Sequence, residues 1–352
     1  MAKTVYIGMS GGVDSSVSAL LLKEQGYNVV GVYMKNWSKD LPGMKCPWAE
    51  DLADAKRVAV KLGIDFYVWD FEKEYFDKVV EYMLSEFKEG NTPNPDIMCN
   101  QEIKFKLFYE KAMEAGADYI ATGHYARVED SKLLRAVDEN KDQTYFLYRI
   151  SEESLAHTLF PIGEMVKPEV KKLAEEKGLH NAYKKESMGV CFVGEVGMKD
   201  FLKEYIEVSP GEIREIESDE VLGYHEGAVF YTIGQRHGLY LNGKKGVVND
   251  GLPYYVVKKD IDKNIVYVSK NLNHEAIWTK ELELRDVFLR GKNSDSKSMD
   301  NVLVRLRHRA PLIPARLNGN KIYFAKEIKR PASGQSAVIY DGEVCLGGGI
   351  IK

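Results

Sequence analysis

A short apolar, β-branched run, TVYIGM (4–9), breaks at SGGVDSS (10–16) and gives way to an apolar-faced helix over 14–26 that ends on Gly26. The unit then repeats. NVVGVYM (28–34) reads as a second buried strand. EDLADAKRVAVKLG (50–63) shows helical spacing through Leu52, Ala55, Val58, Ala59 and Leu62, and IDFYVWD (64–70) reads as a third strand. A helix is expected over about 72–88, a loop over GNTPNPDIMCN (90–100), a helix over 101–115 and a strand at DYIATG (118–123). Such alternation constrains the fold strongly: it predicts an α/β doubly wound parallel sheet with helices on both faces. From about residue 205 short strands separated by Gly, Asn and Asp turns take over, among them AVFYTIG, PYYVVKKD, VLVRLRHR and SAVIYDGEVCLGGGII. They predict a small mixed domain followed by a C-terminal β-barrel. The expected domains are 1–203, 204–272 and 273–352.

A chain of 352 residues, 44% hydrophobic and 29% charged, is ordinary for a globular protein of two or three domains. Its net charge of −4 excludes a polyanion binder by bulk charge. The average hides an asymmetry. Residues 302–330 carry eight Lys/Arg (Arg305, Arg307, Arg309, Arg316, Lys321, Lys326, Lys329, Arg330) against Glu327 alone, a local +7 that fits either a nucleic-acid footprint or a solvated face. MAKTVYIGMS runs straight into the first strand, with no leader-like or membrane-length apolar run, so a cytoplasmic protein without membrane contact is expected. Cys46, Cys99, Cys191 and Cys345 form no C-x-x-C pair, which disfavours a zinc or iron–sulfur site; no metal ligands are assigned.

The glycine turn carries the first chemistry. Gly11 and Gly12 let backbone amides approach an anion, and the helix that follows adds positive potential at its N-terminus. Asp14 can cap that helix or help to hold Mg2+. The loop nevertheless lacks the lysine of a phosphoryl-transfer loop: Asp14 and Ser15 stand where Lys and Ser/Thr would be. S-G-G-x-D-S-S resembles the loop of the PP-loop ATP pyrophosphatases. That resemblance implies cleavage of ATP between the α and β phosphates and adenylation of a substrate oxygen. A nucleophile must then displace the adenylated oxygen. Cys99, in a loop before a helix, and Cys191, in ESMGVCFVG, are the thiols placed for it. Cys46 and Cys345 read as structural.

Nine segments in order, GMSGGVDSS (8–16), GVYMKNW (31–37), NTPNPDIMCN (91–100), ATGHYAR (121–127), KDQTYFL (141–147), FPIGEM (160–165), ESMGVCF (186–192), YTIGQRHGL (231–239) and RPASGQSAV (330–338), resemble the tRNA-specific 2-thiouridylases from end to end. The resemblance implies an enzyme that uses ATP and Mg2+ to replace the C2 oxygen of a tRNA wobble uridine with sulfur, supplied by a cysteine desulfurase or a sulfur-relay protein. By the same resemblance Gly8, Met9, Ser10, Gly11, Gly12, Val13, Asp14 and Ser15, with Met34 and Gly123, would hold ATP. Cys191 would carry the persulfide, Cys99 would resolve it and leave a Cys99–Cys191 disulfide, and Asp96 would be the general acid/base. Asn94, Pro95 and Asp96 would meet the target base; His124, Lys141, Asp142, Gln143, Arg307, His308 and Gln335 would meet tRNA. Two other readings stay open. An adenylating synthetase for a small metabolite would use the same loop, but leaves both cysteines without a task. A non-catalytic RNA-binding module would need neither loop nor thiols.

Overall fold

The computed structural model describes residues 2–40, 46–185, 197–241, 244–245, 252–291 and 298–352; Cys191 lies outside the described residues. The first sheet is five-stranded and parallel. Its strands are β1 (Thr4–Gly8), β2 (Asn28–Lys35), β3 (Asp65–Asp70), β4 (Tyr119–Ala121) and, after a hairpin of β5 (Arg127–Glu129) and β6 (Lys132–Leu134), β7 (Thr158–Leu159). The order β3-β2-β1-β4-β7 reverses direction at β1. A doubly wound sheet binds ligands beyond the carboxyl ends of its strands at such a reversal, so the end of β1 is where a site belongs. Strand residues alternate between two cores. Tyr6, Val30, Val32 and Ile120 face one; Val5, Ile7, Val29, Tyr33 and Ala121 face the other, under helices α1 (Val13–Glu24) and α2 (Trp48–Leu62).

Two expectations are corrected. The segment 90–100 is not all loop: Asn94 caps a helix that starts at Pro95 and runs through Met98 into a π-helical stretch, Cys99–Leu107. Its side chain accepts from the Asp96 amide at 3.2 Å, and proline at the first helical position loses no hydrogen bond. AVFYTIG is not a strand. Phe230 and Tyr231 amides donate back to Gly227 and Ala228 carbonyls in a tight turn, and the chain after it forms a loop.

The middle region is a six-stranded sheet, with β8 (Gly211–Glu215), β9 (Val221–His225), β10 (Tyr240–Leu241), β11 (Lys244–Lys245), β12 (Tyr255–Asp260) and β13 (Ile265–Ser269) in the order β11-β10-β9-β8-β13-β12. The last region is a barrel of β14 (Trp278–Leu289), β15 (Ser298–Arg305), β16 (Ile313–Asn318), β17 (Lys321–Lys329), β18 (Ser336–Asp341) and β19 (Val344–Ile351), closed by the pairing of β14 with β19. The β5–β6 hairpin of the α/β region adds itself to this barrel through Leu134 and Val344. Val338, Tyr340 and Cys345 of the barrel lie in one core with Ile103, Leu133, Tyr145 and Leu147.

A buried charge crosses that seam. Asp142, 1% exposed, accepts from Arg305 Nη1 at 2.5 Å, from the Thr144 amide and hydroxyl at 3.2 and 2.9 Å, and from the Ala136 amide at 3.3 Å. Removing one partner of such a pair strands the other without water. Asp142→Ala is therefore expected to destabilise the protein by about 3–5 kcal/mol; a denaturant midpoint within error of the parent would refute the strut.

Candidate nucleotide and thiol site

The loop after β1 turns on Gly11, whose φ of +78° suits glycine and whose Cβ, if present, would lie 2.3 Å from the Asp51 carbonyl of α2. Gly12 caps α1 and offers no side-chain acceptor, so the first amides of the helix point at the space above the loop. Ser10 is exposed there, and the Ser15 hydroxyl is 3.3 Å from that of Ser10 and donates to Gly12 O. Met9 and Val13 are buried and anchor the turn from below. Gly8 meets the Met34 side chain at the end of β2, and Gly123, just past β4, packs on the backbone of Asp14 and Ser15. The loop, Met34 and Gly123 thus converge at the sheet's reversal.

Asp14 is not the helix cap. It sits inside the first turn, and its carboxylate takes Lys167 Nζ at 2.7 and 2.8 Å and the Tyr125 hydroxyl at 3.0 Å. A lysine 153 residues away in sequence is thereby brought to the loop, by the start of the helix Lys167–Glu176, which packs beside α1. Asn181, 2% exposed, donates to Gly11 O and to Ser16 Oγ at 2.9 Å each, while its own Oδ1 is buried without a partner. Lys184 then binds Asp51 and Asp54 of α2 at 2.8 and 2.5 Å. Sequence reading missed Tyr125, Lys167 and Asn181. Tyr125 stands inside the ATGHYAR segment and FPIGEM ends two residues before Lys167, but neither segment pointed to these side chains as partners of the loop.

Asp96 and Cys99 are three residues apart and share one face of the helix that begins at Pro95. Burial pushes the Asp96 carboxyl above the usual carboxylate range, against a weaker opposing pull from Lys104. Cys99 is 4% exposed. The same helix reaches His124, the residue after Gly123, through Lys104 and Phe105. His124 is buried, its Nδ1 lies 2.8 Å from the Thr122 hydroxyl, and desolvation holds its pKa well below the ordinary value, so the ring is neutral. Cys191 falls seven residues after Lys184 and seven before Met198.

On the barrel side, Asn100 donates to Phe146 O at 3.2 Å, and the Phe146 ring packs at a tilt against His308, centroids 4.6 Å apart. Burial lowers the His308 pKa to about 4. Arg307 and Arg309 beside it are exposed, and Lys141 is half-buried. Arg305 is committed to Asp142, so one of the eight cations of 302–330 is structural and the Asp142 carboxylate has no surface to offer RNA. Gln143 Oε1 accepts from the Tyr125 amide at 2.9 Å, and Gln335 Nε2 donates to Thr92 O at 2.6 Å.

The family descriptions tRNA methyl transferase HUP domain, tRNA methyl transferase PRC-barrel domain and aminomethyltransferase β-barrel domain match residues 3–195, 199–270 and 279–351. A tRNA-specific 2-thiouridylase from Idiomarina loihiensis is 48% identical, over 100% of this chain and 96% of its own. The chain belongs to the tRNA-specific 2-thiouridylase family. A second 2-thiouridylase, from Listeria monocytogenes, is 47% identical over 99% of this chain and 94% of its own. A solved 4-thiouridine synthetase in complex with RNA and ATP is 19% identical, with a TM-score of 0.37 over 52% of this chain and 43% of its own. The 2-thiouridylase membership extends over all three regions rather than over the nucleotide loop alone. No described helix is long and apolar enough to cross a membrane.

Proposed function

We propose that this 2-thiouridylase adenylates the C2 oxygen of the wobble uridine in tRNA and exchanges that oxygen for sulfur carried on Cys191, releasing AMP and pyrophosphate. The observation that carries the reading is an anion-binding loop at the sheet's reversal whose packing partner Gly123 is followed by His124, held in turn by the helix that bears a half-buried carboxyl and a buried thiol. ATP supplies the adenylyl group. Gly8 to Ser15, with Met34 and Gly123, are placed to hold it, and the uncapped amides of α1 suit the pyrophosphate. Lys167 adds a desolvated cation beside the same amides. Among the described residues no three His, Cys, Asp or Glu side chains converge on a point, and Asp14 is engaged; Mg2+ is therefore proposed to enter on the nucleotide's phosphates.

Asp96 acts on the target base as general acid/base, its raised pKa keeping a proton available closer to neutrality. Asn94 and Pro95 present it. The base comes from an anticodon loop, where its extrusion costs little. Lys141, Arg307 and neutral His308 face the RNA, while His124, Asp142, Gln143 and Gln335 hold the elements that present them. The persulfide reaches Cys191 from a cysteine desulfurase or a relay protein, and the reaction is placed in the cytoplasm.

Incubation with tRNA, ATP, Mg2+ and a sulfide source should give 2-thiouridine by nucleoside mass analysis, with AMP and pyrophosphate as products. ADP as the stoichiometric product would overturn the reading. Arg307→Ala should weaken tRNA binding and lower its log–log salt slope by about one, with nucleotide binding retained. Equal slopes would make this stretch a solvated face.

A further inference from the structure

Thr92 lies four residues before Asp96 and seven before Cys99, and all three regions of the chain meet on it. Its amide donates to Ser333 O at 2.8 Å and its carbonyl accepts from Gln335 Nε2 at 2.6 Å, both on the barrel loop between β17 and β18. Its hydroxyl is 3.1 Å from that of Thr232 in the middle region. Thr232 is itself fixed, its amide donating to Gln235 Oε1 at 3.0 Å. Gly334, at φ +89°, lies so close that a Cβ there would stand 2.9 Å from the Thr92 nitrogen. Beside this contact Lys259 of β12 donates to Gly90 O at 2.5 Å and Tyr231 O at 2.7 Å. Burial brings its pKa down to about 8.

Thr92 faces neither the nucleotide loop nor any group given a chemical role. Yet the segment it ends is the lead-in to the helix that carries Asp96 and Cys99. We infer that Thr92 is a positioning residue: the junction it forms with Ser333, Gln335, Thr232 and Lys259 sets where that helix begins, and so where Asp96 and Cys99 stand relative to RNA seated on the barrel. The inference rests on the reading of Asp96 and Cys99 as reactive groups. Each bond in the junction is worth a modest local free energy, so losing one loosens this segment without unfolding the chain.

The test uses the full-length protein and Thr92→Val, Thr232→Val and Thr92→Ser. Cys99 alkylation by iodoacetamide, read by peptide mapping without tRNA or ATP, should run about fivefold faster in both valine variants. Their kcat for thiolation should fall severalfold with KM for tRNA held within about twofold, because an interaction that aligns reacting groups acts on the chemical step. Thr92→Ser keeps the hydroxyl and should match the parent. The double valine variant should be no worse than either single one, since both break the same bond. Parental alkylation and kcat in both valine variants would overturn the inference, as would additive losses in the double. Should Thr92→Val fail to fold, Lys259→Met reaches the junction through other bonds, and parental behaviour there overturns it equally. A parent protein that alkylates as expected but never thiolates tRNA would defeat the functional reading instead.

Discussion

Cys191→Ser is expected to end persulfide loading and reduce thiolation to the uncatalysed background, while AMP formation on tRNA persists. The nucleotide loop, Lys167 and Asp96 are untouched by the change, so the two half-reactions separate. Cys99→Ser should behave differently. It accepts sulfur on Cys191 but fails to turn over, because no partner thiol attacks the Cys191 sulfur to break its bond to the sulfur transferred onto C2. After one turnover without reductant the parent should yield a Cys99–Cys191 disulfide by peptide mapping. The geometry adds a condition. Cys99 is buried at 4% exposure, so a partner thiol can pair with it only when the surroundings of Cys99 open. Cys46 and Cys345 are buried, with pKa values raised by desolvation; their serine variants should keep activity. Sulfur label on Cys99 in a Cys191→Ser enzyme of full activity would reverse the assignment.

The second large effect is expected at Lys167. Lys167→Met should slow AMP and pyrophosphate release by about 10²–10³-fold, the range for removing one preorganised donor from developing charge. Binding of tRNA should be unaffected. The salt bridge to Asp14 gives the reason for a large effect. Lys167 is 7% exposed and paired on both carboxylate oxygens, so its ammonium is fixed and desolvated before any phosphate arrives. Lys167→Arg should recover part of the rate. An unchanged rate in Lys167→Met would reduce the lysine to a counter-ion for Asp14.

What could be read in advance follows a physical rule. SGGVDSS was legible because a glycine turn between an apolar strand and an apolar-faced helix leaves few conformations, and the strand–helix alternation fixed the sheet class for the same reason. Asn94-Pro95 carried a readable helix start that the density of loop-forming residues around it obscured. Lys167 and Asn181 were illegible: each is ordinary in its own neighbourhood, and only the packing of distant chain against α1 brings it to the loop. Tyr125 lay within the ATGHYAR segment, but nothing in that segment told that its hydroxyl meets Asp14. Arg305 shows the reverse failure. It was counted as part of a basic surface, but a charge reads the same in sequence whether it faces water or Asp142.

The seam in which the start of β19 pairs with the α/β hairpin has a consequence for how the protein is made. Val338, Tyr340 and Cys345 complete a core that also holds Ile103, Leu133 and Leu147 from the first 150 residues. A nascent chain therefore cannot close that core until its final strands leave the ribosome, and contacts of such long sequence separation form late. The helix bearing Asp96 and Cys99 packs on the same core. Competence for chemistry is thus acquired only by chains that already carry the whole barrel, and pulse proteolysis of stalled chains would register that order as late protection of the Pro95–Leu107 region.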